Sequence, residues 1–314
     1  MSEIVESIEN YGLSKKDKPK TLFSKVGIVG CGLVGQNITK MISRKGIEVV
    51  FIELSEEKIK RAIKKIEKEL DVMIEHWGMT ASEKRAVLSR IHGYVGYEHL
   101  KGCDLVIEIT RSKTKDDKIK SRKKIFQEIE KHVNQNTIIA TNSSTVAITE
   151  LSSDLKYNER CVNLHFSTAS PDSKLIEVVR GLNTSDEVYE NVKKFIKLIG
   201  KIEIPVEESP GLVSVRLFVA MFREACAVLT EGVAKIEDID LTMRIGIGLT
   251  LGPFEMADKI GLDKVVRWMD NLHSEFGDIK YKAPPVIKKL VRAKHYGRIT
   301  GKGFYKYDEN GKKK

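Results

Sequence analysis

Long apolar runs are scarce in this sequence. The longest, LFVAMF from Leu217 to Phe222, lies between Arg216 and Arg223 and is far short of the roughly 20 residues a membrane-spanning helix needs. The opening stretch MSEIVESIENYGLSKKDKPKTLF alternates Lys-rich and acidic segments around no continuous apolar core. It reads as neither a secretory signal nor a membrane span but as a mobile extension over residues 1–22. Cysteine is scattered: Cys31, Cys103, Cys161 and Cys226 form no CxxC and no Cys/His cluster. That excludes an obvious zinc site, so no metal is expected, and it suggests reduced, partly buried thiols in a cytoplasmic protein. Charge of a single sign is missing from most of the chain. The formal net charge is +10, yet Lys and Glu interleave in segments such as EEKIKRAIKKIEKEL, the pattern of a solvated face and not of a nucleic-acid surface. The residual positive field suits a polyanionic small molecule such as a phosphorylated cofactor.

What is present is enough for one large or two ordinary domains: 314 residues, 41% hydrophobic and 31% charged. SKVGIVG at 24–30, EVVFIE at 48–53, CDLVIEI at 103–109, NTIIAT at 136–141 and CVNLHF at 161–166 read as buried strands, separated by helical stretches. Thr80 to Glu83 and Thr184 to Glu187 have the form of capping boxes. LIEVV and KIEIPV continue the strands to residue 206. This alternation predicts an α/β fold, a Rossmann-type doubly wound, mostly parallel sheet. After Ser209-Pro210-Gly211 the periodicity turns helical. The expected organisation is an extension over 1–22, a sheet domain over 23–207 and an all-helical domain over 208–314. Near the end, TGKGF is no P-loop, since no Gly lies five residues before Gly301 and no Ser or Thr follows Lys302.

GCGLVG, comprising Gly30, Cys31, Gly32, Leu33, Val34 and Gly35, is a G-x-G-x-x-G run that leaves an apolar strand and opens a helix, with Glu53 at the end of the next strand. That context marks a dinucleotide site. Gly30 permits the tight turn, Gly32 admits a pyrophosphate, Gly35 lets helix and strand pack, and the helix start offers N–H groups to phosphate. Glu53 can accept from both ribose hydroxyls and would repel a 2'-phosphate, so the expected cofactor is NAD, not NADP.

In NLHFSTASPDSKLIEVVRG, His165 stands ahead of Glu177, which is bracketed by apolar residues. A buried carboxylate needs a partner. A structural His in a turn and a Glu on an exposed edge strand would account for these residues alone. A nicotinamide cofactor favours another account: hydride transfer from an alcohol requires a base, and His has a suitable pKa. Glu177 would then fix its tautomer and support the imidazolium.

Together GIVGCGLVGQNI, Glu53, DLVIE, ATNSST, LHF with LIEVVRG, SPGLVSVRL, EDIDLTM, LGPFEMADKIGLD and TGKGFYKY resemble the 3-hydroxyacyl-CoA dehydrogenases, of which the 3-hydroxybutyryl-CoA enzymes are compact members. The resemblance runs in order from about residue 24 to 308. It implies an NAD-binding domain, a helical dimerisation domain, a site in the cleft between them, and a place in fatty acid metabolism. It makes His165 the general acid/base, Glu177 its orienting carboxylate, and Ser144 a hydroxyl near both substrate and nicotinamide.

The departures have a direction. Arg111, Ser112 and Lys113 stand where the family has a Pro-Glu-Asn-like stretch; Thr168 and Val215 replace Asn residues, and Ile299 a Lys. Glu69 and His76 fall where CoA contacts are common. Asp172 and Ser173 occupy positions that are apolar in the family, while Arg111 and Lys113 could pair with an anion. The expectation is an L-3-hydroxyacyl-CoA with a short or polar acyl group, handled by a homodimer without nucleic acid or membrane. The alternatives are a dehydrogenase of a free polar 3-hydroxy acid, of the gulonate or carnitine type, and a non-catalytic NAD-binding homologue. In the second all-helical half, Glu255 and Asp258 read plainly as helix-start capping residues, and Gly303-Phe304-Tyr305 as packing the chain end onto the helices.

Overall fold

The computed structural model describes residues 22–110, 118–166, 173–309 and 311–314. Arg111, Ser112, Lys113, Thr168, Asp172 and most of the N-terminal extension lie outside them. The elements in chain order are β1 (Lys25–Val29), α1 (Leu33–Ser43), β2 (Glu48–Ile52), α2 (Glu56–Glu75), α3 (Ala81–Leu88), β3 (Ile91–Tyr94), β4 (Leu105–Glu108), α4 (Lys118–His132), β5 (Ile138–Thr141), α5 (Ile148–Ser152), β6 (Cys161–Phe166), β7 (Leu175–Arg180), α6 (Asp186–Leu198), β8 (Ile202–Glu207), α7 (Ser214–Thr230), α8 (Ile236–Leu241), α9 (Pro253–Ile260), α10 (Leu262–Phe276) and α11 (Pro285–Arg292). The sheet has eight strands in the order β3-β2-β1-β4-β5-β6-β7-β8. β2 pairs parallel with β1 and β3, β1 with β4, and β7 with β8, whereas β6 and β7 are antiparallel. The expected mostly parallel sheet is therefore present.

Contacts divide the chain into two compact units. One holds the described residues up to Ala140 together with Leu155–Arg160 and Ser185–Gly200. Its strands β1, β2, β4 and β5 bury nearly all their residues, most of them apolar, as strands covered on both faces do. On α2 the buried residues Ile59, Ala62, Ile66 and Leu70 recur at helical spacing, and the Thr80–Glu83 capping box forms in full. The second anticipated box does not. Ser185 is the N-cap of α6, accepting from Val188 N, while Thr184 Oγ1 donates to Cys161 O. Sequence reading also passed over β3: IHGY has no apolar run, and Gly93 sits where a Cβ would meet Phe51 and Ile59, so its strand character comes from pairing with β2.

The other unit comprises Thr141–Asp154, Cys161–Thr184 and Lys201–Lys314. Its helices α7, α9 and α10 bury Val219, Phe222, Phe254, Leu262, Val265, Met269 and Leu272 completely. The capping group at the start of α9 is Asp240, which accepts from Phe254 N and Glu255 N, each at 2.9 Å. Asp258 is no cap: it accepts from the backbone of Phe304 and Tyr305 and from the Tyr307 hydroxyl. Phe304 packs 4.7 Å from Phe254, centroid to centroid, so the chain end does seal the helical core.

Candidate active site

The antiparallel ladder between β6 and β7 sets His165 directly opposite Glu177. Residues opposed in a ladder project to the same face, and the two side chains meet at 2.8 Å, Nδ1 to Oε2. His165 is 2% and Glu177 3% exposed, and β7 lies between β6 and β8. The reading of a turn His and an exposed edge-strand Glu is thus excluded.

Glu177 carries four donors. Val213 N and Ser214 N donate to Oε1 at 3.0 and 2.9 Å, and Ser214 Oγ donates to Oε2 at 2.6 Å beside the imidazole. Burial pushes the carboxyl up, but the bonds from His165, Ser214 Oγ and Ser214 N outweigh it and hold the group down at about 2. An ionised carboxylate only accepts, so Nδ1 of His165 bears the proton of this bond, and whenever the ring is neutral Nε2 is an acceptor. Ser144 Oγ stands 3.1 Å from that Nε2.

The NSST loop after β5 is held by its neighbours. Asn142 Oδ1 accepts from Phe166 N, Asn163 Nδ2 donates to Ser143 O, Gly211 N donates to Ser144 O, and Asn271 Nδ2 on α10 donates to Thr145 Oγ1. Ser144, His165 and Glu177, expected to act together, are brought together. Ser214 and the three Asn residues were not anticipated. The signal for Ser214 was faint: a small polar residue at the start of an apolar helix, after Pro-Gly. Val215 is buried and Ile299 largely exposed.

The glycine loop, in the other unit, shows the geometry its sequence requires. Gly30 has φ +95°, and a Cβ there would press on Ile109 O. At Gly35 a Cβ would run into the Gly30 carbonyl oxygen, whereas at Gly32 it would meet no described atom within 4 Å. Gly32 thus borders open space at the start of α1, where no side chain caps the helix, as a phosphate-accepting terminus requires. Glu53 Oε1 accepts from Cys31 N at 2.7 Å, tying the carboxylate to the loop. These residues fit a dinucleotide. Cys31 itself is a buried thiol, pushed by burial up to about 12, and its contribution to the loop is its backbone. At the end of β4, sequence reading missed a buried pair: Glu108 is fully enclosed and bonds Arg122, Thr110 N and Thr110 Oγ1. Burial raises Glu108, but Arg122 and Thr110 outweigh that and lower it.

Residues 25–209 match the 3-hydroxyacyl-CoA dehydrogenase NAD binding domain and residues 211–307 the 3-hydroxyacyl-CoA dehydrogenase C-terminal domain. The chain is 34% identical over 285 residues to a 3-hydroxybutyryl-CoA dehydrogenase of Clostridioides difficile, covering 91% of this chain and 100% of that one. A 3-hydroxybutyryl-CoA dehydrogenase of Bradyrhizobium diazoefficiens is 34% identical over 286 residues, with 91% and 96% covered. Among solved structures, (S)-3-hydroxybutyryl-CoA dehydrogenase from Ralstonia eutropha superposes with a TM-score of 0.82 at 36% identity, covering 91% of this chain and 100% of that one. Both parts of the chain match one family in the order its domains require, and the relatives agree with it along nearly their whole length. The protein is a member of the 3-hydroxyacyl-CoA dehydrogenase family, with NAD as its cofactor.

Proposed function

We propose that this dehydrogenase interconverts an L-3-hydroxyacyl-CoA bearing a short or polar acyl group and the 3-oxoacyl-CoA. The observation that carries the proposal is the bonded line Ser144–His165–Glu177, in which Nδ1 of His165 meets the carboxylate and Nε2 meets the Ser144 hydroxyl. His165 Nε2 takes the proton of the substrate's 3-hydroxyl, and Ser144 Oγ holds the reacting oxygen. Glu177 stays ionised, keeps Nδ1 protonated and stabilises the imidazolium as it forms. Bound NAD supplies the acceptor for the hydride leaving C3. For the cofactor we assign Gly30, Cys31, Gly32, Leu33, Val34 and Gly35 to the pyrophosphate and Glu53 to the adenosine ribose.

A second reading, a dehydrogenase of a free polar 3-hydroxy acid, draws support from Glu69 and His76, which stand where CoA contacts are common in the family. Glu69 is paired with Lys40 at 2.5 Å, and His76 Nδ1 lies 2.8 Å from Val72 O. Both side chains already have partners within the chain. We also propose a cytoplasmic homodimer; the exposed apolar side chains Leu241, Ile245 and Ile247 around the end of α8 support the dimer. Among the described residues, no helix is long and apolar enough to cross a membrane.

The deciding experiment is NADH oxidation by the purified protein with acetoacetyl-CoA, beside free acetoacetate and a dicarboxylic 3-oxoacyl-CoA. Turnover of a CoA ester is expected. Turnover of the free acid alone would replace the first reading by the second.

A further inference from the structure

The bonded line does not stop at Glu177. Four donors meet its carboxylate: Val213 N and Ser214 N on Oε1, and His165 Nδ1 and Ser214 Oγ on Oε2. A carboxylate offers about four lone-pair sites, so these donors fill it. Their arrangement is uneven. The Ser214 hydroxyl, at 2.6 Å, shares Oε2 with the imidazole at 2.8 Å. Ser214 also opens α7, a helix of 17 residues, so the carboxylate faces the positive end of a helix dipole.

We propose that Ser214 is a positioning residue that sets the basicity of His165 through Glu177. The inference rests on the general-base reading of His165. A donor on the carboxylate stabilises the anion and lowers its pull on the neighbouring imidazolium. With the Ser214 hydroxyl gone, His165 is the one side-chain donor left among the four, and more of the charge on Oε2 is directed at its ring. The hydroxyl thus keeps the His165–Glu177 pair from becoming so tight that the protonated ring would hold its proton at working pH. It also fixes the carboxylate rotamer, since Oγ and the backbone N–H of one residue grip both oxygens.

The surroundings supply little competing charge among the described residues. On β7 the facing charge is Glu177 itself, and β8 places Ile204 opposite it. Arg216 on α7 is engaged with Tyr281 Oη and Ser209 Oγ. Glu208, after β8, accepts from Thr149 N. The NSST loop contributes Ser144, a neutral group.

The test is a histidine-ring NMR titration of the full chain, His165 being assigned by the signal lost in His165→Asn, together with pH profiles of kcat/KM for acetoacetyl-CoA and NADH. Ser214→Ala should raise the His165 pKa by about one unit and move the corresponding limb of the profile with it, and Ser214→Thr should restore both. If Ser214→Ala fails to fold, Ser214→Cys, which keeps the size with a weak donor, carries the same comparison. A Ser214→Ala titration superposing on wild type overturns the inference, as does a Ser214→Thr enzyme that stays with the Ala variant. Activity of His165→Asn within tenfold of wild type would instead overturn the general-base reading, leaving the NMR titration to decide the coupling by itself.

Discussion

Asp258 and Tyr307 meet at 2.9 Å, hydroxyl to Oδ2, across 49 positions of chain. The same carboxylate takes the N–H groups of Phe304 and Tyr305 at 3.0 and 2.9 Å, so one buried side chain fastens the chain end to α9. Removing the Tyr307 hydroxyl leaves the backbone bonds in place, and Tyr307→Phe should cost about 1 kcal/mol. Asp258→Ala strands both N–H groups and should cost several times as much. Urea titrations would measure both. Burial, against the opposing bonds, holds Asp258 above its ordinary value. The stability this group contributes should therefore fall as pH rises from that ordinary value and level off above the folded one.

Glu177 has the opposite sign. Its folded pKa of about 2 lies below the ordinary 4.5, so its contribution is complete above pH 4.5 and is lost as pH falls toward 2. The span corresponds to on the order of 3 kcal/mol. Unfolding free energies between pH 2 and 6 should show this slope in the wild type and lack it in Glu177→Gln.

His165→Asn should lower turnover at least 100-fold, the usual contribution of a positioned acid–base group, while NADH binding, followed by fluorescence, stays within a few-fold of wild type. Loss of both together would mean that the substitution disturbs more than proton transfer.

The glycine loop separates ligand approach from packing. Gly32→Ala meets no described protein atom and should leave the melting temperature near that of wild type while weakening NADH binding by tenfold or more, because the new methyl would enter the space assigned above to the pyrophosphate. Gly35→Ala collides with the Gly30 carbonyl and should destabilise the fold even without cofactor.

If the exposed face around Ile245 and Ile247 is a subunit interface, Ile245→Glu should give a monomer in light scattering where the wild type gives a dimer. A wild type that scatters as a monomer would refute the dimer.

The sheet, the glycine loop and the pairing of His165 with Glu177 were legible in the sequence because each rests on local pattern: apolar runs at strand length, glycines between strand and helix, a lone His near a carboxylate flanked by apolar residues. What escaped notice depends on partners distant in the chain. IHGY becomes a strand by pairing with β2, and Glu108 is tolerated in the core because Arg122, 14 positions on, meets it. Ser214 touches Glu177 from 37 positions away, and no local pattern announces that. Asp258 misled for the same reason: its place in the chain suggests a cap, while its bonds lie 46 and 47 positions downstream.

His165 and Glu177 are opposed in an antiparallel ladder, and a ladder shifted by one residue turns every side chain to the other face. A slip of β7 against β6 would leave the sheet's apolar core imperfect and would also carry Glu177 away from the imidazole altogether. With His165 as the proposed general base, proton transfer would act as a proofreader of strand alignment, and sequence changes that loosen this pairing should be felt in catalysis before they are felt in folding.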